Sequence, residues 1–304
     1  MHRTRCHWRC LAGLPMLLLS HPVAAQAAAA ESTIVVTLGT GTPRPSPEAM
    51  GPATAIVVGQ RVFLVDAGTG VERRLAAARL PVTGVTALFI THLHSDHVLG
   101  LPDLIFTSWV VGRSRPFPAY GPAGLQRMTE HLYAAFEEDI RIRTEGLEHE
   151  PAAGYRIVVH EIAPGVVYDS GGVKVTAFLV PHGAWKQAFG YRFDTPDRSI
   201  VVSGDTRPSE ELVRMASGVD VLVHEVQPSD STAPPGRRTA AEWAAYVRAY
   251  HTTALELGEL AARARPRLLV VSHDGRRAPR EQILADIRRG WTGPVVLAED
   301  LQRF

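Results

Sequence analysis

Short apolar runs punctuated by glycine, proline and polar turns dominate this chain, and they read as strands. Ile34–Leu38, Ala53–Val58 and Arg61–Val65 come first. The Gly-Thr-Gly-Thr-Pro-Arg-Pro-Ser-Pro stretch at 39–47 separates the first two and must be a loop. Val71–Leu80 carries a helical pattern, and Ala87–Ile90 is a short buried strand. Leu125, Met128, Leu132, Phe136 and Ile140 recur at three- and four-residue intervals. That spacing predicts one long helix over 122–142, with His131 on its surface.

The second half repeats the theme. Tyr155–His160, Val173–Val180, Phe189–Phe193 and Ser199–Ser203 read as strands. Val219–His224 and Leu268–Ser272 are apolar strands, each finishing at a histidine. Thr253-x-x-Glu256 is a capping box that opens a helix near 254–264. A helix near 280–289 and a strand at Pro294–Leu297 close the chain. Strands and helices alternate in both halves, which predicts an α/β fold with a sheet-on-sheet core and helices on the outer faces.

The N-terminus follows a different pattern. A basic head with Arg3, Arg5 and Arg9 precedes an apolar core from Leu11 to Leu19 and the small-residue exit Ala25-Gln26-Ala27. Together these predict a signal peptide over 1–27, one globular domain over 28–304, and a periplasmic or secreted product. The apolar core is too short to span a bilayer, so no membrane partner is expected after cleavage. Both cysteines, Cys6 and Cys10, lie in this segment. Any metal site of the mature chain must therefore use His, Asp or Glu.

Composition changes the picture in two ways. With 45% hydrophobic and 21% charged residues the chain is not disordered. The whole sequence carries 32 Lys+Arg and 31 Asp+Glu; removing Arg3, Arg5 and Arg9 leaves 29 against 31, a net of −2. Such a balance lacks the broad positive field of a nucleic-acid-binding protein. From charge alone, a nucleic-acid partner is not expected.

Chemistry concentrates at Thr91-His92-Leu93-His94-Ser95-Asp96-His97, directly after an apolar strand. Imidazoles and a carboxylate suit zinc or another divalent first-row metal. In an extended stretch His92 and His94 point the same way and can grip one ion. Asp96 and His97, where the chain turns into a helix, can face a second. Three further candidates follow apolar strands: His182, Asp205 and His273. Jointly they supply what a two-metal hydrolytic site needs.

His-x-His-x-Asp-His, a distant His, a Gly-Asp-Thr and a final His resemble the metallo-β-lactamase superfamily over essentially the whole mature chain. Leu38-Gly-Thr-Gly-Thr-Pro and Phe63-Leu-Val-Asp66-Ala-Gly resemble it as well. His224-Glu225 and His251-Thr252-Thr253 are similar to motifs of its ribonuclease Z and arylsulfatase-like branch. The resemblance implies a four-layer αβ/βα sandwich and two Zn2+ ions, with Mn2+ or Fe as substitutes. It implies His92, His94 and His182 on one metal, Asp96, His97 and His273 on the other, and Asp205 bridging. Asp66 would brace the metal loop. An aspartate at 205, where secreted β-lactamases usually place cysteine, argues against antibiotic hydrolysis.

Glu225 and His251 are implied as the donor of a proton to the leaving group. Only 22 residues separate His182 from Asp205 (205 − 182 − 1), too few for the long substrate-binding arm of ribonuclease Z. The absent arm, the signal and the charge balance together favour an exported dinuclear hydrolase of small anionic esters. It would cleave phosphodiesters or aryl sulfates with a metal-bound hydroxide. The alternatives are a lactone or carboxylic ester hydrolase on the same fold, or a ribonuclease Z-type phosphodiesterase in 3′ tRNA processing. A homodimer is compatible with any of these.

Overall fold

The computed structural model describes residues 2, 32–229, 238–274 and 278–304. The predicted signal peptide, Cys6 and Cys10 lie outside the described residues. The chain runs β1 (Thr33–Gly39), β2 (Ala53–Val58), β3 (Arg61–Val65), α1 (Val71–Ala77), β4 (Val85–Phe89), α2 (Ser95–Val98), α3 (Leu101–Val110) and β5 (Phe117–Gly121). It continues through α4 (Leu125–Ala135), α5 (Glu137–Glu145), β6 (Ile157–Glu161), β7 (Gly165–Ser170), β8 (Val173–Leu179), β9 (Phe189–Asp194) and β10 (Ser199–Val202). The last elements are α6 (Glu210–Met215), β11 (Val221–His224), α7 (Ala240–Tyr250), α8 (Ala254–Ala264), β12 (Leu268–Val271), α9 (Arg280–Gly290), β13 (Val295–Leu297) and β14 (Gln302–Arg303).

Two seven-stranded sheets result, ordered β14-β1-β2-β3-β4-β5-β6 and β13-β12-β11-β10-β9-β8-β7. Each is half antiparallel and half parallel. In the first sheet pairing is parallel from β3 to β6; in the second it is parallel from β10 to β13. The inner faces meet over Val35, Phe63, Phe89, Tyr191, Phe193 and Ile200. Helices α1 and α3 cover the outer face of the first sheet through Leu75, Leu101, Leu104 and Ile105. Helices α6, α8 and α9 cover the second through Leu212, Leu257, Leu260, Ile283 and Ile287. This is the four-layer αβ/βα sandwich. Among the described residues no helix is long and apolar enough to cross a membrane.

The expected single helix over 122–142 is two helices. The chain breaks at Phe136 (φ −106°, ψ 16°), whose ring packs on Phe106 with centroids 4.5 Å apart. Glu137, Glu138 and Asp139 then fill the first turn of α5, where acids favour a new helix start over a helix interior. His131 is exposed, as its pattern predicts. Three strands are not evident in the sequence: β5, β7 and the two-residue β14. β5 carries Pro118 and Gly121, and β7 is a solvent-facing edge without a buried residue. Neither shows the alternation that identifies a strand.

Candidate metal centre

The functional residues gather where several strands end on one edge of the sandwich, the place where open α/β sheets present ligands. His92 and His94 follow β4, and Asp96 and His97 lie in α2. His182 follows β8, Asp205 follows β10, Glu225 follows β11 and His273 follows β12. His251 caps the C-terminus of α7 with φ −133° and ψ 165°. Gly204, at φ 61°, turns the chain so that Asp205 faces inward. Gly100 lets α2 lie flush against the loop after β3. A Cβ there would sit 2.1 Å from the Gly68 carbonyl oxygen.

All seven residues expected as ligands converge. His92, His94, His182 and Asp205 offer ligand atoms within 4.8 Å of one another, and so do Asp96, His97 and His273. His94 Nδ1 lies 2.9 Å from His92 Nε2 and 3.1 Å from His182 Nε2. Asp205 reaches both groups. Its Oδ2 is 3.9 Å from His182 Nε2, while its Oδ1 is 3.3 Å from His273 Nε2 and 3.4 Å from His97 Nε2. Asp96 Oδ2 lies 3.6 Å from His273 Nε2 and 3.7 Å from His97 Nε2.

The surroundings fix which ring nitrogens face the centre. His182 Nδ1–H donates to the Tyr250 carbonyl at 2.7 Å, and His273 Nδ1–H donates to the Gly41 carbonyl at 2.6 Å. His97 Nδ1–H donates to Asp66 Oδ2 at 2.8 Å. Thr91 Oγ1 gives its proton to Asp66, so it accepts from His92 Nδ1 at 3.0 Å. Four Nε2 atoms are thereby aimed inward, and each offers a lone pair to a metal once it carries no proton. Asp66 also accepts the Thr91 backbone N–H at 2.8 Å, which locks the loop. Asp66 and His273 hold left-handed backbones at φ 63° and 56°, strain that clusters at functional sites.

The residues fit a divalent metal. Asp96 Oδ2 and His97 Nε2 are buried with no hydrogen-bond partner, a costly state for a polar atom unless a cation completes it. The protonation pattern agrees. Burial pushes His92 well below its ordinary pKa, with His97 adding to the effect, and lowers His182 to about 4. Burial also disfavours charge on His97 and His273. Asp205 outweighs it and lifts His97 well above the usual range and His273 to about 9. Protons on those two rings thus balance acids that a dication would otherwise balance.

Beside this centre, His251 Nδ1–H donates to Glu225 at 3.0 and 3.1 Å to the two carboxylate oxygens, and stands 3.9 Å from Asp205 Oδ2. Glu225 also accepts the Thr206 backbone N–H at 3.0 Å. Burial raises Glu225. Burial works against charge on His251, but the Glu225 carboxylate prevails and raises its pKa. His224 turns away and donates Nδ1–H to the Glu225 carbonyl at 2.6 Å. Two contacts were not visible in the sequence. The Trp185 indole N–H reaches His94 Nε2 at 2.9 Å, and the Tyr246 hydroxyl reaches His251 Nε2 at 3.1 Å. Trp109, by contrast, belongs to the core, fully buried with its N–H on the Pro151 carbonyl.

The beta-lactamase superfamily domain matches residues 61–273, well over half of the chain. The chain belongs to the beta-lactamase superfamily. A relative named ribonuclease Z from Mycobacterium sp. (strain KMS) is 37% identical over 243 residues, 79% of this chain and 83% of that protein. Human tRNase Z, short form, superimposes with a TM-score of 0.65 at 26% identity, covering 89% of this chain and 98% of the human one. The metallo-beta-lactamase fold protein YhfI of Bacillus subtilis reaches 0.69 at 16% identity, covering 90% and 99%, which speaks for the fold alone.

These likenesses correct two expectations. The small-ester hydrolase reading, phosphodiester or aryl sulfate, gives way to the ribonuclease Z alternative, because the relatives that match at 37% identity carry that name. The exclusion of nucleic acid fails with it. A net charge averages over the whole surface, whereas phosphates are bound by local groups and a metal centre supplies its own positive charge. The 22-residue span between His182 and Asp205, folded here as β9 and β10, does not set the chain apart from this family.

Proposed function

We propose that this superfamily member is a ribonuclease Z-type phosphodiesterase that cleaves tRNA precursors on their 3′ side, using two zinc ions. The observation that carries the reading is that Asp205 reaches both ligand groups, with Oδ2 3.9 Å from His182 Nε2 and Oδ1 3.3 Å from His273 Nε2, while Nδ1 of the Glu225-bonded His251 stands 3.9 Å from Oδ2. A two-ion centre and an adjacent proton donor are what phosphodiester hydrolysis needs. The names of the relatives supply the substrate class.

His92, His94, His182 and Asp205 would hold one ion, and Asp96, His97, His273 and Asp205 the other. When bound, such ions activate water and offset the negative charge that develops on phosphorus-bound oxygens. The chain does the rest. Asp66 holds His97 and Thr91 so that the ligand loop keeps its shape. Glu225 takes the Nδ1 proton of His251 as a hydrogen bond and orients the ring. The raised pKa of His251 keeps Nε2 protonated over more of the neutral range, so the ring can release a proton towards the departing oxygen.

The test is incubation of the zinc-loaded protein with a tRNA precursor bearing a 3′ extension, with product ends mapped at nucleotide resolution. A cut at the 3′ end of the tRNA body supports the reading. Failure to cut RNA at any zinc concentration, while aryl phosphodiesters are turned over, overturns it.

A further inference from the structure

His251 Nδ1 is committed to Glu225, so Nε2 is the ring atom that exchanges a proton. That atom does not face open space. The hydroxyl of Tyr246 stands 3.1 Å from it. Tyr246 is held firmly from the second-last turn of α7. Its ring stacks on Trp243 at 5.3 Å and on Tyr250 at 4.8 Å, with interplanar angles of 27° and 24°, and the Arg238 guanidinium lies 4.5 Å from its centroid. Tyr250 spends its own hydroxyl on the Ala184 backbone N–H at 3.3 Å, leaving Tyr246 alone to meet the imidazole.

We propose that Tyr246 is the group that hands the proton to the leaving oxygen, with His251 behind it as the proton's source. The inference rests on the reading of Glu225 and His251 as the donor pair. As the bond from phosphorus to the leaving oxygen breaks, its electron pair stays on that oxygen. The Tyr246 hydroxyl proton moves to the oxygen, and the Nε2 proton of the imidazolium moves to Tyr246 Oη. The imidazole is left neutral, its Nδ1–H still on Glu225, and the phenol is restored. No free phenolate forms.

The environment of the phenol suits this role. Burial chiefly, and then the negative charges of Asp205 and Glu225, push its pKa to about 12 against the opposing pull of Arg238. The hydroxyl therefore remains protonated at neutral pH and has a proton to give, and its 3.1 Å contact with Nε2 lets the imidazole replace that proton as it leaves. The groups facing the His251 ring are Glu225, Asp205, His182, Tyr246 and Tyr250. Among these Tyr246 alone meets Nε2.

The experiment compares wild type, Tyr246→Phe, His251→Ala and the double variant, all at equal zinc content. The substrates are model phosphodiesters with leaving groups from nitrophenolate to alkoxide, alongside a tRNA precursor. Imidazole 15N NMR supplies a readout independent of turnover. A relay predicts a loss of about 10²-fold or more in kcat for alkoxide leaving groups in Tyr246→Phe and little change for nitrophenolate, general acid help being worth roughly 10²–10⁴. The double variant should be no worse than His251→Ala, since the two act as a unit. The His251 Nε2 resonance should move while those of the other histidines stay. Unchanged alkoxide kcat, or a loss equal for all leaving groups, overturns the relay and makes Tyr246 a support for the ring. If the wild type hydrolyses the model diesters but not RNA, the substrate assignment fails, and the diesters alone still decide the role of Tyr246.

Discussion

The Asp66 carboxylate accepts the Nδ1–H of His97 at 2.8 Å, which leaves Nε2 of that ring as the atom that faces the centre. The same carboxylate takes the Thr91 backbone N–H, so one side chain sets both a ligand's tautomer and the path of the loop that carries His92 and His94. Asp66→Asn is an informative change because asparagine tolerates the left-handed backbone at φ 63°. Its amide has one acceptor oxygen where the carboxylate has two. Metal affinity should fall by roughly 10–100-fold, the usual cost of losing a ligand's hydrogen-bond partner. Competition against a chromophoric chelator measures it, and unchanged affinity would detach Asp66 from the centre.

Asp205→Asn should be more damaging than Asp66→Asn. Asp205 faces His182 with one oxygen and His97 and His273 with the other, and the variant turns an N–H₂ group towards one of those sets of lone pairs. Occupancy should drop from about two ions per chain towards one or none, with loss of activity beyond the roughly 10–100-fold expected for a supporting residue. Elemental analysis after dialysis against zinc reads the first quantity. Two tightly held ions in the variant would contradict the shared role of Asp205.

Much of this centre was legible because its residues follow a local rule. His92, His94, Asp96 and His97 sit in one six-residue run, and His182, Asp205 and His273 each follow an apolar strand. What stayed hidden depends on tertiary geometry. Tyr246 is one more aromatic on an amphipathic helix until the chain leaves α7 in an extended conformation at His251 and folds the ring back over it. Trp185 reaches His94 only because β8 and the turn after it bring residue 185 beside residue 94. The break at Phe136 was hidden for the opposite reason. The apolar spacing runs through it, and only the Phe106 contact and three successive acids disclose two helices. Net charge could not exclude a nucleic-acid partner because a sum over 304 residues carries no information about where the charges sit.

His224 should make the metal-free protein sensitive to acid. It is fully buried with Nε2 unpartnered, and burial depresses its pKa to about 4 from an ordinary 6.5. A depressed folded-state pKa gives stability that is present above 6.5 and lost as the pH falls towards 4. The contribution is at most about 3 kcal/mol, at 1.36 kcal/mol per unit. In His224→Asn, which keeps a donor for the Glu225 carbonyl but cannot titrate, urea-unfolding stability should fall less steeply between pH 7 and pH 4. His92 and His182 titrate in both proteins, so the difference isolates His224. Parallel curves would show that the ring is reached by water.

Metal removal should cost the fold as well as any activity. The folded chain gathers four inward Nε2 atoms with Asp96 and Asp205 in a buried pocket, and the unfolded chain disperses them. An ion that binds only the native state stabilises it by RT ln(1 + [L]/Kd), about 4 kcal/mol at a thousandfold excess over Kd. For a domain of this size each kcal/mol shifts Tm by roughly 2–4 °C. Zinc-saturated protein should therefore melt roughly 8–16 °C above chelator-treated protein, and the gap should widen with free zinc. In Asp205→Asn the gap should shrink by half or more, because both ligand groups lose a member. Calorimetric scans across a zinc series measure this directly. Equal Tm with and without zinc would mean that the seven side chains do not bind the ion in the folded state, and the two-ion reading would fall with them.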